Sequence, residues 1–208
     1  ELVTMVFDYI LDDTAVPVDY SRQLDAAFRE ADPNRPTFVV SYKPHEFNKN
    51  VWLSEVLAPD PYPWNKGKGN HSDIVRVSHW MDRANEVGGG MRPYLCVPQA
   101  FGGEPPHVWR NMAIQAIAHG AKGLIWYAWN EKTDHDVGLK FNQNLRETAR
   151  EFMAQIKAIA PAILNAGEPP RMFTAADYRL HGMVCRDPAT KTFYLLLASS
   201  DKEPLALE

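Results

Sequence analysis

The chain has 208 residues, 45% hydrophobic and 23% charged, with a formal net charge of −4. That length suits one sizeable domain, or one domain with a small appendage. The Lys and Arg are scattered, which argues against a nucleic-acid footprint, and no stretch is long and apolar enough to span a bilayer.

The first element is the apolar run LVTMVFDYIL (2–11), read as a strand. The chain opens inside it, which predicts a further part upstream. A helix over 19–31 follows, with Leu24, Ala27, Phe28 and Ala31 on one face. PTFVVSY (36–42) is the next strand, and SEVLAPD (54–60) a weaker one before a polar loop. A helix over 76–88, a strand at RPYLCVP (92–98) and a helix over 107–119 come next. His119-Gly120 supplies that helix's left-handed stop. KGLIWYAW (122–129) is the fifth strand, and the longest helix covers 142–163.

Continuous apolar strands alternating with helices imply a parallel sheet covered by helices. After residue 166 the pattern becomes short and β-rich, with turn signals such as Asp187-Pro188. The reading is therefore an α/β unit over 1–165 and a small antiparallel β appendage beginning at 166 and running to 208. Cys96 and Cys185 are expected as buried free thiols. No His or Cys spacing implies a metal, and no cofactor is implied.

Chemistry in such folds sits in the loops after the strands' carboxyl ends. Four of those ends carry polar and aromatic residues. ILDDTAVP offers Asp12 and Asp13; APDPYPW offers Asp60, Tyr62 and Trp64. VPQAFGGE offers Gln99, Phe101 and Glu104, and WYAWNE offers Trp129, Asn130 and Glu131. Flat rings stack on the C–H faces of sugars, while carboxylates and amides bind hydroxyls. Two carboxyl groups also meet the requirement of glycosidic cleavage for an acid and a base or nucleophile. Each feature has a plainer reading. Adjacent aspartates often cap a turn, Asp-Pro-Tyr-Pro makes a rigid bend, and Glu131 opens a charged run typical of solvated loop. Trp126 reads as core or barrel lining and Glu104 as loop surface, and His45, His71 and His107 receive no role.

In order and spacing, several phrases resemble the later half of a glycoside-hydrolase-type (β/α)8 barrel. They are FDYILDD with ADPNRPTFVV, then VLAPDPYPW, RPYLCVPQAFG and RNMAIQAIAHGAKGLIWYAWNE. The resemblance covers roughly 1–165 and implies a partial TIM barrel, strands four to eight. It also implies a carbohydrate substrate and O-glycosyl hydrolysis. Asp13 would be the general acid, Asp12 the orienting group and Glu131 the second carboxylate. Asp60, Tyr62, Trp64, Gln99, Phe101, Trp129 and Asn130 would bind the sugar.

The sequence departs from the family at two points. Asp12-Asp13-Thr14 stands where the family has Asp-Glu-Pro, and Gln99 stands where related retaining enzymes carry a nucleophilic Glu. An Asp-Asp pair on strand four also resembles hexosaminidase-like barrels, in which the substrate's acetamido group is the nucleophile. The alternative class is a non-catalytic carbohydrate-binding barrel, and a third is a barrel enzyme for small polar metabolites. A barrel with open edges is further expected either to self-associate or to be completed by a missing N-terminal half.

Overall fold

The computed structural model describes residues 17–64, 74–130, 138–165, 167–175 and 178–200, with the backbone path of 8–12. Strand β1 (Asp8–Asp12), helix α1 (Val18–Ala31), strand β2 (Thr37–Ser41), a short helix α2 (Phe47–Asn50) and strand β3 (Val56–Pro59) come first. Helices α3 (Arg76–Val87), α4 (Pro106–Ala118) and α5 (Gln143–Ile163) follow. The chain then forms strands β4 (Arg171–Thr174), β5 (Leu180–Arg186) and β6 (Phe193–Ser199).

The first sheet is parallel and lies in chain order, β1-β2-β3. The runs expected as strands at 92–98 and 122–129 are instead extended chain, joined by single parallel bridges: Leu57–Tyr94, Cys96–Leu124 and Gln99–Tyr127. Pro93 and Pro98 interrupt the first of these runs, because proline has no N–H to give a ladder. The remaining groups still bond in register: Leu95 N–H donates to Leu57 O at 2.9 Å and Ile125 N–H to Cys96 O at 2.9 Å. The architecture is mixed helix and strand, with parallel and antiparallel sheets. Closure into a barrel is not seen among the described residues.

Side chains alternate across this sheet, as a pleat requires. Phe38, Val40, Val56, Ala58, Leu95 and Val97 cluster on one face. Val39, Leu57, Tyr94 and Cys96 pack on the other, with Val77 and Met81 of α3 and Met112 and Ala116 of α4. Each large aliphatic side chain so buried contributes about 1.5–3 kcal/mol.

Helix α4 joins the two sheets. From Val108 to Ala118 every residue is buried or half-buried. One side packs in the core beneath the parallel sheet; the other packs with α5, Met183 and Cys185 of β5 and Leu196 of β6. A helix apolar around most of its circumference is one covered on both sides. Trp109 of α4 is fully buried and stacks on Trp126, ring centroids 3.7 Å apart, which makes Trp126 core. Helix α5 begins at Asn142, whose side-chain oxygen accepts from Leu145 N–H at 3.0 Å.

The appendage is the antiparallel sheet β4-β5-β6. Phe173 lies so close over Gly182 that a Cβ there would come within 2.2 Å of the ring. Both cysteines are free and buried, as expected. No helix among the described residues is long and apolar enough to cross a membrane.

Candidate functional site

The carboxyl ends of β3 and of the two extended segments meet at one rim. Asp60 directly follows β3: it is buried, and its N–H donates to Ser41 O at 3.2 Å. Cys96 lies near it. Burial pushes the Cys96 thiol well up, and the Asp60 charge adds to that rise, so the thiol stays protonated.

Three rings gather above these strand ends. Tyr62 and Phe101 meet edge to face at 5.2 Å, and Tyr62 lies nearly parallel to Tyr127 at 6.0 Å. Phe101 and Tyr127 close the triangle at 5.7 Å. Tyr127 is 47% exposed, so the cluster keeps an open face. Edge-to-face pairs of this kind stabilise by about 0.5–1.5 kcal/mol beyond their burial.

Beside them, the Gln99 side chain clamps the turn at Trp64. Gln99 Oε1 accepts from Trp64 N–H at 3.0 Å, and Gln99 Nε2 donates to Trp64 O at 2.9 Å. Gln99 is only 2% exposed, so its amide positions the Trp64 turn instead of reaching outward. Gly102 makes room for this clamp: a Cβ there would come within 2.4 Å of Gln99 Nε2. Arg76 of α3 donates to Tyr62 O at 3.3 Å and fixes the other end of the same turn.

Glu104 was expected at the loop surface and is instead 2% exposed. Its Oε1 accepts from the backbone N–H groups of Phe101 and Gly102, each at 3.3 Å. The Gly102-Gly103 turn, with φ +69° at Gly103, folds the carboxylate back onto those amides.

Of the residues read from the sequence, Tyr62 and Phe101 come together, as do Trp64 and Gln99. Asp60 lies buried at the end of β3. Trp129, 59% exposed, and Asn130, also exposed, follow Tyr127 along the last extended segment. That end is tied back by Lys140 N–H, which donates to Trp129 O at 2.8 Å. Asp13 and Glu131 lie outside the described residues, and of Asp12 only the backbone, at the end of β1, is described.

Two rim residues, Tyr127 and Tyr42, were missed, and Glu104 was named but set aside as loop surface. Period-2 alternation from Ile125 puts Tyr127 on the face opposite Trp126, so its position was available in the sequence. Tyr42, just past β2, is also exposed, with the Lys43 ammonium 4.7 Å from its ring centroid. The burial of Glu104 could be found only by seeing that Gly102-Gly103 reverses the chain. The groups left facing outward at this rim are aromatic faces and the exposed Asn130. Among the described residues, no group of His, Cys, Asp and Glu is arranged to hold a metal ion.

No protein-family model matches the sequence, and no curated protein does either. Solved structures do show likeness. A putative β-galactosidase from Bacteroides fragilis matches with a TM-score of 0.50 at 10% identity, over 86% of this chain and 32% of that one. A GH2 β-galacturonidase from Eisenbergiella tayi, bound to galacturonate, matches at 0.46 and 16% identity, over 72% of this chain and 33% of that one. An FMN-binding β-glucuronidase from Facaelibacterium prausnitzii L2-6 matches at 0.41 and 9% identity, over 88% of this chain and 35% of that one. The chain thus spans about a third of the length of each. At such identity the likeness concerns the fold, and only the first reaches a score that carries an argument. The class this defines is a glycosidase-like fold.

Proposed function

We propose that this chain is the later part of a glycoside-hydrolase-type (β/α)8 barrel, strands four to eight over 1–165, with a β-rich domain beginning at 166. Its function is to bind a carbohydrate and hydrolyse an O-glycosidic bond. The single observation that carries this reading is the open ring triangle of Tyr62, Phe101 and Tyr127 at the carboxyl ends of parallel chain segments that follow one another in order. The fold likeness to a putative β-galactosidase supports it.

In this reading Asp13, just past β1, protonates the leaving oxygen. Asp12 orients the sugar or stabilises charge, and Glu131 is the second carboxylate. Tyr62, Phe101, Trp129 and Tyr127 offer stacking faces, and Asp60 and Asn130 hold hydroxyls. Gln99 and Trp64 shape the pocket wall. An acid that works near neutral pH needs its proton retained there, which crowding by a neighbouring carboxylate provides. Asp13→Asn should lower kcat on unactivated glycosides at least about a hundredfold, the usual contribution of general acid catalysis. Aryl glycosides with good leaving groups should be spared, because they need no proton. Parental turnover of unactivated substrate by that variant would remove Asp13 from the role.

The non-catalytic binding reading has one observation in its favour. Gln99 stands where related retaining enzymes have a nucleophile, and its amide is taken up by the Trp64 backbone. A separation of about 5–9.5 Å between the Asp13 and Glu131 carboxyl groups accords with hydrolysis, and a much larger one with binding alone.

A further inference from the structure

At the opposite end of the parallel strands, a chain of hydrogen bonds runs from the helix layer into the antiparallel sheet. Asp82 Oδ1 on α3 lies 2.6 Å from His119 Nδ1 at the end of α4. His119 Nε2 lies 2.9 Å from Nδ1 of His181 on β5, and His181 Nε2 lies 3.2 Å from Ser200 Oγ after β6. Ser200 Oγ donates to Tyr178 O, and the Tyr178 hydroxyl returns to Asp82 Oδ2 at 3.5 Å. Both imidazoles are buried, and His181 is 0% exposed.

The hydrogens can be assigned from the network. Ser200 gives its hydrogen to Tyr178 O, so it accepts from His181 Nε2–H. His181 Nδ1 is then the bare nitrogen, and it accepts from His119 Nε2–H. His119 donates on its other side to the Asp82 carboxylate, which compensates the charge. The pair at 2.9 Å holds one hydrogen only. A further proton on His181 Nδ1 would set two N–H groups face to face and put a second positive charge in a buried site beside His119.

We propose that the Asp82–His119–His181–Ser200 chain is an acid-sensitive latch that fastens the antiparallel sheet to helices α3 and α4. The surrounding described groups give little to offset a second charge. His79 of α3 packs edge-on against Tyr178 at 4.6 Å and adds positive potential when protonated. Thr174 of β4 lies 3.3 Å from His119 Nε2 and is neutral. The Tyr94 hydroxyl donates to His119 O at 2.5 Å and keeps its proton, because burial first and the Asp82 charge second raise its pKa. Among the described residues, Asp82 is the one acidic side chain bonded to the pair. His181 is lowered to about 4, by burial first and His119 second, which together outweigh the opposing Tyr178 carbonyl and Asp82 charge, and this accords with the geometry.

The pH window follows from the direction of that shift. His181 binds its proton more weakly in the folded state than in the unfolded one, so its contribution is intact above pH 6.5 and is lost as pH falls toward about 4. Two measurements on the protein test this. Backbone hydrogen exchange, taken at each pH as a ratio between β4–β6 and β2–β3 amides, cancels intrinsic pH effects. We expect β4–β6 to lose protection ahead of β2–β3 between pH 6.5 and 4, with a matching fall in melting temperature. His181→Gln, which keeps an amide donor and acceptor but cannot titrate, should flatten that fall. Equal loss of protection in both sheets, or a His181→Gln variant with the parent's full pH slope, overturns the latch. If the variant does not fold, NMR titration of His181 in the parent decides. A midpoint near 4 upholds the latch, and one near 6.5 overturns it.

Discussion

The strand-end rim and the sheet junction both take polar groups out of water, and they do so with different chemistry. At the rim, the Gln99 amide meets the Trp64 backbone, neutral group to neutral group, and its two bonds do not change with pH. At the junction, a carboxylate and two imidazoles share protons, so the same burial makes the bonds conditional on their charge state. The difference teaches where adjustability resides. The turn at Trp64 is held by an amide that cannot titrate, while the contact between sheet and helices runs through groups that can.

The most severe way to break the comparison is to remove what lies between the two regions. Trp109→Ala takes out the ring that stacks on Trp126 and meets Phe152 edge-on at 5.7 Å. It should cost about 3–5 kcal/mol, the usual penalty for emptying a large aromatic site, and should loosen rim and junction together in urea unfolding. Neither indole N–H of the Trp109–Trp126 stack has a hydrogen-bond partner among the described residues.

A gentler cut sharpens the comparison. Gln99→Leu leaves the Trp64 N–H and carbonyl without their amide partner. It should cost about 1–3 kcal/mol by urea unfolding, with no change in the pH dependence of stability. A changed pH slope would mean that rim and junction are coupled. The smallest effect is expected from Tyr127→Ala, which removes the most open ring of the triangle. Saccharide affinity should weaken by about 1–2 kcal/mol in calorimetry while unfolding free energy moves little. Equal affinity in parent and variant would take Tyr127 out of the binding face.

Much of the fold could be read from periodicity. The helices expected at 19–31, 76–88, 107–119 and 142–163 agree with α1, α3, α4 and α5 to within a residue at each end. The antiparallel turn of the chain after 166 was visible in its short β-rich runs and its Asp187-Pro188 signal. The runs at 92–98 and 122–129 were legible as extended chain but not as weakly laddered chain, because apolarity reports burial and Pro93 and Pro98 act on hydrogen bonds.

The rim was legible in part, for a related reason. Tyr62 and Phe101 could be placed at strand ends by position alone. The use to which Gln99 is put could not, since its partner lies 35 positions away and a side-chain amide looks the same in a clamp as in a binding site. His119 and His181 stand 62 positions apart, so no spacing rule joins them, and His119 read only as the residue before a helix-stopping glycine. Local pattern shows which face a residue occupies, while pairing at that face is decided by the tertiary packing.

Helix α4 has a consequence for how such a protein changes over generations. From Val108 to Ala118 it has no fully exposed position on which sequence can drift without notice. A residue that grows to suit the parallel sheet pushes the helix toward β5 and β6, and one that shrinks draws it away. The two sheets therefore inherit each other's volume changes through a common wall. Substitutions accepted on one side are filtered by the other, and the pair must diversify in step.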